Sequence, residues 1–181
     1  MEPQRPTLTT ERLILRPYAL EDAADVQRLC GDRRIAETTL NIPHPYPDGA
    51  AQEWISTHAK DFAENKGVQW AITLKETGEL AGGIGLTIQR THDRAEVGYW
   101  IAAHLWSRAY CTEAAREVVG YGFKTLNLNR IYASHFARNP ASGRVMQKLG
   151  MSYEGRAREG VKKWDRYEDL ERYAILRAEW K

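Results

Sequence analysis

The chain has 181 residues, enough for one domain with a sizeable core and too few to predict two. Lys and Arg total 26 and Asp and Glu total 24, and this near balance gives no indication of nucleic-acid binding. No apolar run approaches bilayer-spanning length, and the opening MEPQRP lacks the apolar core of a signal peptide. These two features predict no membrane association. Cys30 and Cys111 are far apart and fit no metal-ligand spacing, so we predict no metal site and reduced thiols in a cytoplasmic protein.

The first part of the chain alternates between strand and helix patterns. Alternation of side chains predicts a strand over 11–18, and helical spacing predicts helices over 21–31 and 50–65. The intervening segment 41–49 has three prolines within five residues, which predicts a loop.

The rest of the chain begins as a run of strands and then alternates. The pattern predicts strands over 68–75, 80–89, 94–102, 130–137, 151–163 and 169–178, and helices over 112–126 and 140–149. The complete order β, α, α, β, β, β, α, β, α, β, β predicts an α+β fold, a mixed sheet flanked by helices. The passage from 94 to 137 predicts a parallel crossover, and a phosphate-bearing ligand would bind where its helix begins.

Two segments carry a recognisable motif: EVGYWI over 96–101 and WSRAYCTEA over 106–114. They resemble the GNAT acetyltransferases. The opening TERLILRP at 10–17, the segment 139–151 with its NPAS and KLGM ends, and the C-terminal 173–180 resemble the branch that acetylates the N-termini of ribosomal proteins. The resemblance covers nearly the whole chain.

The resemblance implies a single N-acetyltransferase domain over 1–181 with acetyl-CoA as co-substrate. It further implies a mostly antiparallel sheet of six to seven strands, four helices and a central V-shaped splay. The residues that match its acetyl-CoA-binding positions are Tyr99, Trp100, Ile101, Trp106, Ser107, Arg108, Ala109, Tyr110, Cys111, Thr112, Asn139 and Ser142. The alternative is that 103–112 is a plain connection.

The physical basis of the loop at 107–112 is independent of the family. A loop that enters a helix N-terminus offers unpaired backbone N–H groups and the positive end of the helix dipole to a pyrophosphate. The family prefers glycine where Ala109 stands. Because alanine adds only a methyl group, the loop survives if Ala109 has a negative φ, and we expect weakened cofactor affinity or a slightly shifted loop.

The implied reaction is direct attack of a neutral amine on a thioester. Glu96 is the candidate base, acting through water, and the alternative is that it pairs with Arg94 or Arg90. Many GNAT enzymes have a proton-donating tyrosine where this chain has Met146, and the resemblance implies that Ser142 assists the thiolate instead. The alternative for Ser142 is a bond within the first turn of its own helix.

The remaining candidates concern the substrates. The family's match to Asn139 bonds the pantetheine arm, while the N-cap position predicts a bond to its own helix. His44 and Tyr46 lie in a loop that covers the acceptor site in related proteins, or form plain surface. Trp70, Trp100 and Trp164 line an acceptor cleft or the core, and His135 is favoured as a core or cofactor-wall residue.

Two classes of function remain. The first is an N-acetyltransferase acting on a primary amine, either a protein N-terminus or a small molecule. The second is a non-catalytic acyl-CoA-binding or interaction module, motivated by Ala109 and Met146. The chain is expected to be a monomer or a homodimer.

Overall fold

The structure is a computed structural model that describes residues 4–181; Met1–Pro3, the start of the segment without a signal-peptide core, lie outside the described residues. In chain order the elements are β1 (Leu8–Thr9), β2 (Leu13–Pro17), α1 (Ala23–Cys30), α2 (Arg33–Thr38), α3 (Ala50–Ala63), β3 (Gly67–Leu74), β4 (Leu80–Gln89), β5 (Arg94–Ile101), α4 (Tyr110–Lys124), β6 (Arg130–Phe136), α5 (Pro140–Lys148), β7 (Ser152–Lys163) and β8 (Arg166–Leu176).

The predicted α+β fold is confirmed, with two elements more than the sequence pattern predicts. The described residues form eight strands and five α-helices instead of six to seven and four. The additional helix α2 has six residues, starts where the Asp32 side chain accepts from the Arg34 N–H at 2.9 Å, and buries Ile35 and Ala36 alone. So short a helix shows no repeating apolar stripe. The additional strand β1 has two residues that pair with β2.

All eight strands form one sheet, in the order β1-β2-β3-β4-β5-β6-β8-β7. Neighbours are antiparallel except for β5 and β6, which are parallel and joined through α4. The predicted crossover over 94–137 is therefore confirmed. A parallel pair needs such a long connection because the chain must return to the same end of the sheet.

Helices cover both faces of this sheet. On one face, α1 and α3 pack together, and Trp54 of α3 contacts Tyr18 edge-on at 5.0 Å between ring centroids. On the other face, α4 lies close to the strands because Gly122 leaves room for Ile131: a Cβ at Gly122 would lie 2.6 Å from the Ile131 Cδ1. No helix within residues 4–181 combines the length and apolar character needed to cross a bilayer.

Candidate active site

The parallel strands β5 and β6 lie side by side only where they begin. Three residue pairs join them, from Arg94 with Arg130 to Glu96 with Tyr132. Beyond Glu96, β5 stays paired with β4, and beyond Tyr132, β6 stays paired with β8. The two strands therefore part in the middle of the sheet, which is the predicted V-shaped splay.

A cavity of about 920 Å³ surrounds this splay. That volume is in the range of small-molecule and cofactor sites, roughly 300–1,000 Å³. Five of the predicted site residues line it: Glu96, Tyr99, Trp100, Ser142 and Tyr46. The structure thus brings together residues from β5, α5 and the loop that precedes α3.

The loop before α4 takes a left-handed backbone at two positions, neither of which is glycine. Ser107 and Ala109 both adopt a left-handed φ of 64°. The condition of a negative φ at Ala109 is therefore not met; the alanine takes the glycine-like conformation at a cost of about 1–2 kcal/mol. The first bond of the helix runs from the Glu113 N–H to the Ala109 carbonyl, so the N–H groups of 110–112 precede it and have no partner inside the helix.

The neighbouring loop residues have distinct environments. The Trp106 indole N–H donates to the Ile101 carbonyl at 2.7 Å while its ring stays 42% exposed. The Arg108 side chain is exposed, whereas Tyr110, Cys111 and Thr112 are half-buried. Burial raises the pKa of the Cys111 thiol to about 12, so it stays protonated and unreactive.

Glu96 points into the cavity with no arginine on its carboxylate. Arg94 instead donates to the Gln89 side chain at 2.7 Å, and Arg90 donates to the Leu126 carbonyl at 2.7 Å. The pairing alternatives for Glu96 are thus not formed. Desolvation in the cavity raises the pKa of Glu96, and the nearby Arg172 partly opposes that effect. A carboxyl with a raised pKa is better suited to accept a proton near neutral pH.

Ser142 faces β5 across the splay. Its hydroxyl lies 2.9 Å from the Tyr99 hydroxyl, and the Tyr99 hydroxyl also donates to the Ser142 carbonyl at 3.3 Å. Burial raises the pKa of Tyr99 well above the usual value for a phenol, so this group remains protonated. The serine therefore has a hydroxyl partner outside its own helix.

Three residues considered from the sequence lie in or next to α5: Asn139, Met146 and His135. Asn139 occupies the N-cap position but makes no side-chain bond to its helix, so the capping alternative is not formed. Met146 is 1% exposed and lines the cavity without any group that could donate a proton. His135 is 8% exposed; its Nδ1 lies 2.8 Å from the Phe136 carbonyl, and its Nε2 has no partner in the described residues.

The expected acceptor residues divide between cavity and core. Tyr46 and Trp100 line the cavity, whereas His44 lies beside it, half-buried. Trp70 is fully buried, donates its indole N–H to the Pro6 carbonyl at 2.8 Å and packs edge-on against Tyr121 of α4. The expectation that Trp70 contacts an acceptor is wrong, because the strand register turns it towards α4.

The segment 38–43 forms one wall of the cavity and is fastened by a buried lysine. Lys163 of β7 is 5% exposed and donates to the Leu40 carbonyl at 3.0 Å and the Ile42 carbonyl at 2.6 Å. Trp164, the third tryptophan considered for an acceptor cleft, lies outside the cavity lining, and Arg33 stacks over its ring.

Residues 12–152 match the family model described as "Acetyltransferase (GNAT) domain". The chain belongs to the GNAT acetyltransferase family. It is 34% identical over 151 residues to the "Uncharacterized N-acetyltransferase YoaA" of Bacillus subtilis (strain 168), covering 83% of this chain and 85% of YoaA. It is 31% identical over 122 residues to the "Putative ribosomal N-acetyltransferase YdaF" of the same organism, covering 67% of this chain and 66% of YdaF.

The fold agrees with a solved GNAT structure. The "RimL- Ribosomal L7/L12 alpha-N-protein acetyltransferase" with bound coenzyme A superimposes with a TM-score of 0.87 at 14% identity, over 94% of this chain and 98% of that one. The family and the named N-acetyltransferase relatives confirm that the chain is an acyltransferase, and they include the ribosomal branch that the motifs resemble.

The loop before α4 is held in place by residues for which the sequence motifs predicted no role. Glu113, in the first turn of α4, accepts from the Thr10 hydroxyl at 2.6 Å and from the Arg12 backbone N–H at 2.8 Å and side chain at 2.7 Å. Arg12 also donates to the Arg108 carbonyl at 3.1 Å. The TERLILRP opening marked these residues as family-like, but only the tertiary contact with α4 shows what they hold.

The acetyltransferase site contains no arrangement of metal ligands. Among residues 4–181, no three His, Cys, Asp or Glu side chains lie close enough together to hold a metal ion. Both cysteines are free thiols, and Cys30 is buried near Tyr46.

Proposed function

We propose that the chain is a single-domain N-acetyltransferase over 1–181 that transfers the acetyl group of acetyl-CoA to a primary amine. Both substrates are bound together, and the amine attacks directly. The observation that carries the proposal is the cavity at the splay, which has Glu96 on one wall and Ser142 on the other. Strand β5, which lines the cavity, leads into the loop that precedes α4.

The residues present fit acetyl-CoA. The N–H groups of 110–112 and the exposed Arg108 are suited to a pyrophosphate, and the left-handed Ala109 allows the backbone to approach it. Beyond Glu96, one edge of β5 is unpaired and can bond an extended arm, to which the free side chain of Asn139 adds a polar group. When bound, acetyl-CoA supplies a thioester whose carbonyl carbon accepts the amine and whose thiol departs.

Glu96 and Ser142 divide the proton transfers. As the N–C bond forms and the C–S bond breaks, Glu96 accepts the proton of the amine, directly or through one water. Its raised pKa favours this role. Ser142 donates a hydrogen bond to the departing sulfur, and the protonated Tyr99 holds the serine in place. The thiolate then takes its proton through this hydroxyl pair or from water.

The proposal leaves two classes of acceptor amine. A protein N-terminus is supported by the ribosomal names among the relatives, and a small-molecule amine by the cavity, which is large enough to enclose one. A non-catalytic acyl-CoA-binding module is the second candidate. Met146 favours it, because this position carries no acid.

Thiol release from acetyl-CoA over a panel of amines and N-terminal peptides tests the proposal. Replacement of the base in Glu96→Gln should lower kcat/KM by roughly 10²–10⁴-fold and leave acetyl-CoA affinity unchanged. Glu117→Gln, an equal change on the exposed face of α4, should retain wild-type activity.

Three outcomes would count against parts of the proposal. Binding of acetyl-CoA without thiol release for any amine would favour the non-catalytic module. No thermal shift at millimolar acetyl-CoA would exclude both candidates, since a ligand at 100 times its Kd stabilises by about 2.7 kcal/mol. If Glu96→Gln retained more than about a third of the wild-type activity, far above the activity expected to remain after loss of the base, Glu96 would have a structural role instead.

A further inference from the structure

The charged side chains that line the cavity include more cations than anions. Three arginines and two glutamates line it: Arg94, Arg130, Arg172, Glu96 and Glu154. They project from the same side of four adjacent strands, because β5 pairs with β6 at Arg94 and Glu96, and β8 pairs with β6 and β7 around Arg172. The formal charge of these five side chains is +1.

The arginines differ in what already neutralises them. Arg130 donates to the Glu154 carboxylate from two guanidinium nitrogens, one of them at 2.6 Å, so the charges of these two side chains neutralise each other. Arg94 bonds only the neutral Gln89 side chain and stacks over the Tyr132 ring at 5.6 Å. Arg172 is exposed and forms neither an ion pair nor a side-chain hydrogen bond within the described residues.

The positions of the two uncompensated arginines relate them to the reacting amine. Arg94 lies two residues from Glu96 on the same face of β5, a backbone spacing of about 6.8 Å. Arg172 is close enough to Glu96 to oppose the rise in its pKa. Both uncompensated arginines therefore line the cavity in the neighbourhood of Glu96, where the reacting amine would be placed.

We propose that the acceptor is a primary amine that also carries an anionic group, a carboxylate or a phosphate, and that Arg172 and Arg94 bind that group. The inference rests on the proposed acetyltransferase function and adds the charge class of the acceptor. A polyamine fits this site poorly, because its further ammonium groups would meet guanidinium groups instead of carboxylates. An uncharged amine would leave both arginines unused.

The test compares acceptors of similar basicity and different charge. 4-Aminobutyrate and O-phosphoethanolamine carry the two anionic sources, n-butylamine carries none, and spermidine carries further cations. The N-terminal peptide pair Ala-Glu-Ala-amide and Ala-Gln-Ala-amide adds the same contrast in a peptide. Thiol release should give kcat/KM at least about tenfold higher for an anionic acceptor than for its uncharged counterpart, the gain expected from one charge-assisted contact. Spermidine should be the poorest.

Variants then assign the preference to a residue. In Arg172→Gln the ratio of kcat/KM between anionic and uncharged acceptors should fall about tenfold. The ratio is the readout because the loss of Arg172 also changes the surroundings of Glu96. Arg158→Gln is the matched control: it removes the same charge from an exposed position on β7 outside the cavity, and should keep the wild-type ratio.

The outcomes separate this inference from the function on which it rests. Equal or better turnover of n-butylamine or spermidine would overturn the anionic acceptor and leave the acetyltransferase intact. An unchanged ratio in Arg172→Gln would overturn the assigned residue. If no amine releases thiol, the proposed function fails and this inference fails with it. A preference for only one of 4-aminobutyrate and O-phosphoethanolamine identifies the anion and supports the proposal.

Discussion

His58 predicts a loss of stability in mild acid. Its imidazole is 2% exposed, neither ring nitrogen has a hydrogen-bond partner in the described residues, and the rings of Trp54 and Tyr18 lie 4.5 Å and 5.5 Å away. Desolvation lowers the pKa of His58 from 6.5 to about 4. At pH values between these two pKa values, His58 is protonated in the unfolded chain and neutral in the folded chain. The free energy of unfolding therefore falls as the pH drops.

The magnitude follows from the same pKa difference. At about 1.4 kcal/mol for each pH unit, the neutral imidazole contributes up to about 3 kcal/mol, present in full above pH 6.5 and lost by about pH 4. Urea unfolding from pH 4 to 7 measures it. His58→Phe suits the aromatic cluster and should flatten this part of the profile, whereas His92→Phe, at an exposed position, should not. If wild type and His58→Phe lose stability in parallel, the buried imidazole is not the group that takes up the proton.

Substitutions at two further positions, Ala109 and Lys163, test the loop and the cavity wall. Ala109→Gly should raise the free energy of unfolding by about 1 kcal/mol in thermal denaturation and keep or improve acetyl-CoA affinity, while Ala24→Gly in an exposed helical position should lower stability. Ala109→Glu should abolish acetyl-CoA binding by calorimetry, and unchanged affinity would place the phosphates elsewhere. Lys163→Met removes two bonds from a charged donor to the segment 38–43, so unfolding free energy should fall by about 2 kcal/mol and the KM for the acceptor should rise. The exposed Lys162→Met should change neither quantity, and an unaltered acceptor KM in Lys163→Met would show that the segment does not shape the acceptor site.

Much of the fold could be predicted because its signals are local. The strand predicted over 80–89 and the helices predicted over 50–65 and 112–126 differ from the observed elements by no more than two residues at either end. These segments have long apolar patterns whose period differs between helix and strand. The helix α2 was missed because one turn and a half cannot display such a pattern.

Only those site residues whose type and motif position indicate a chemical role could be predicted from the sequence. Glu96 and Ser142 were predicted as site residues from motif positions, and the structure places both on the cavity. The conformation of Ala109 could not be inferred, because alanine normally indicates a negative φ and the left-handed backbone here comes from how the loop meets α4. The contact between Arg12 and Glu113 joins segments 101 residues apart, and no local pattern encodes it.

On the proposed function, the splay offers acetyl-CoA a second binding surface besides the loop that lacks glycine. Strands β5 and β6 part after three pairs, so the backbone of β5 beyond Glu96 bonds β4 on one side and leaves its other edge without a strand. Backbone groups at such an edge gain free energy from any extended ligand that pairs with them. In the proposed complex, the affinity for the long arm of acetyl-CoA would be shared between that edge and the N-terminus of α4. Arg12 donates both to Glu113 in the first turn of α4 and to the Arg108 carbonyl, so these contacts fix the loop to the start of the helix beside the strained Ala109.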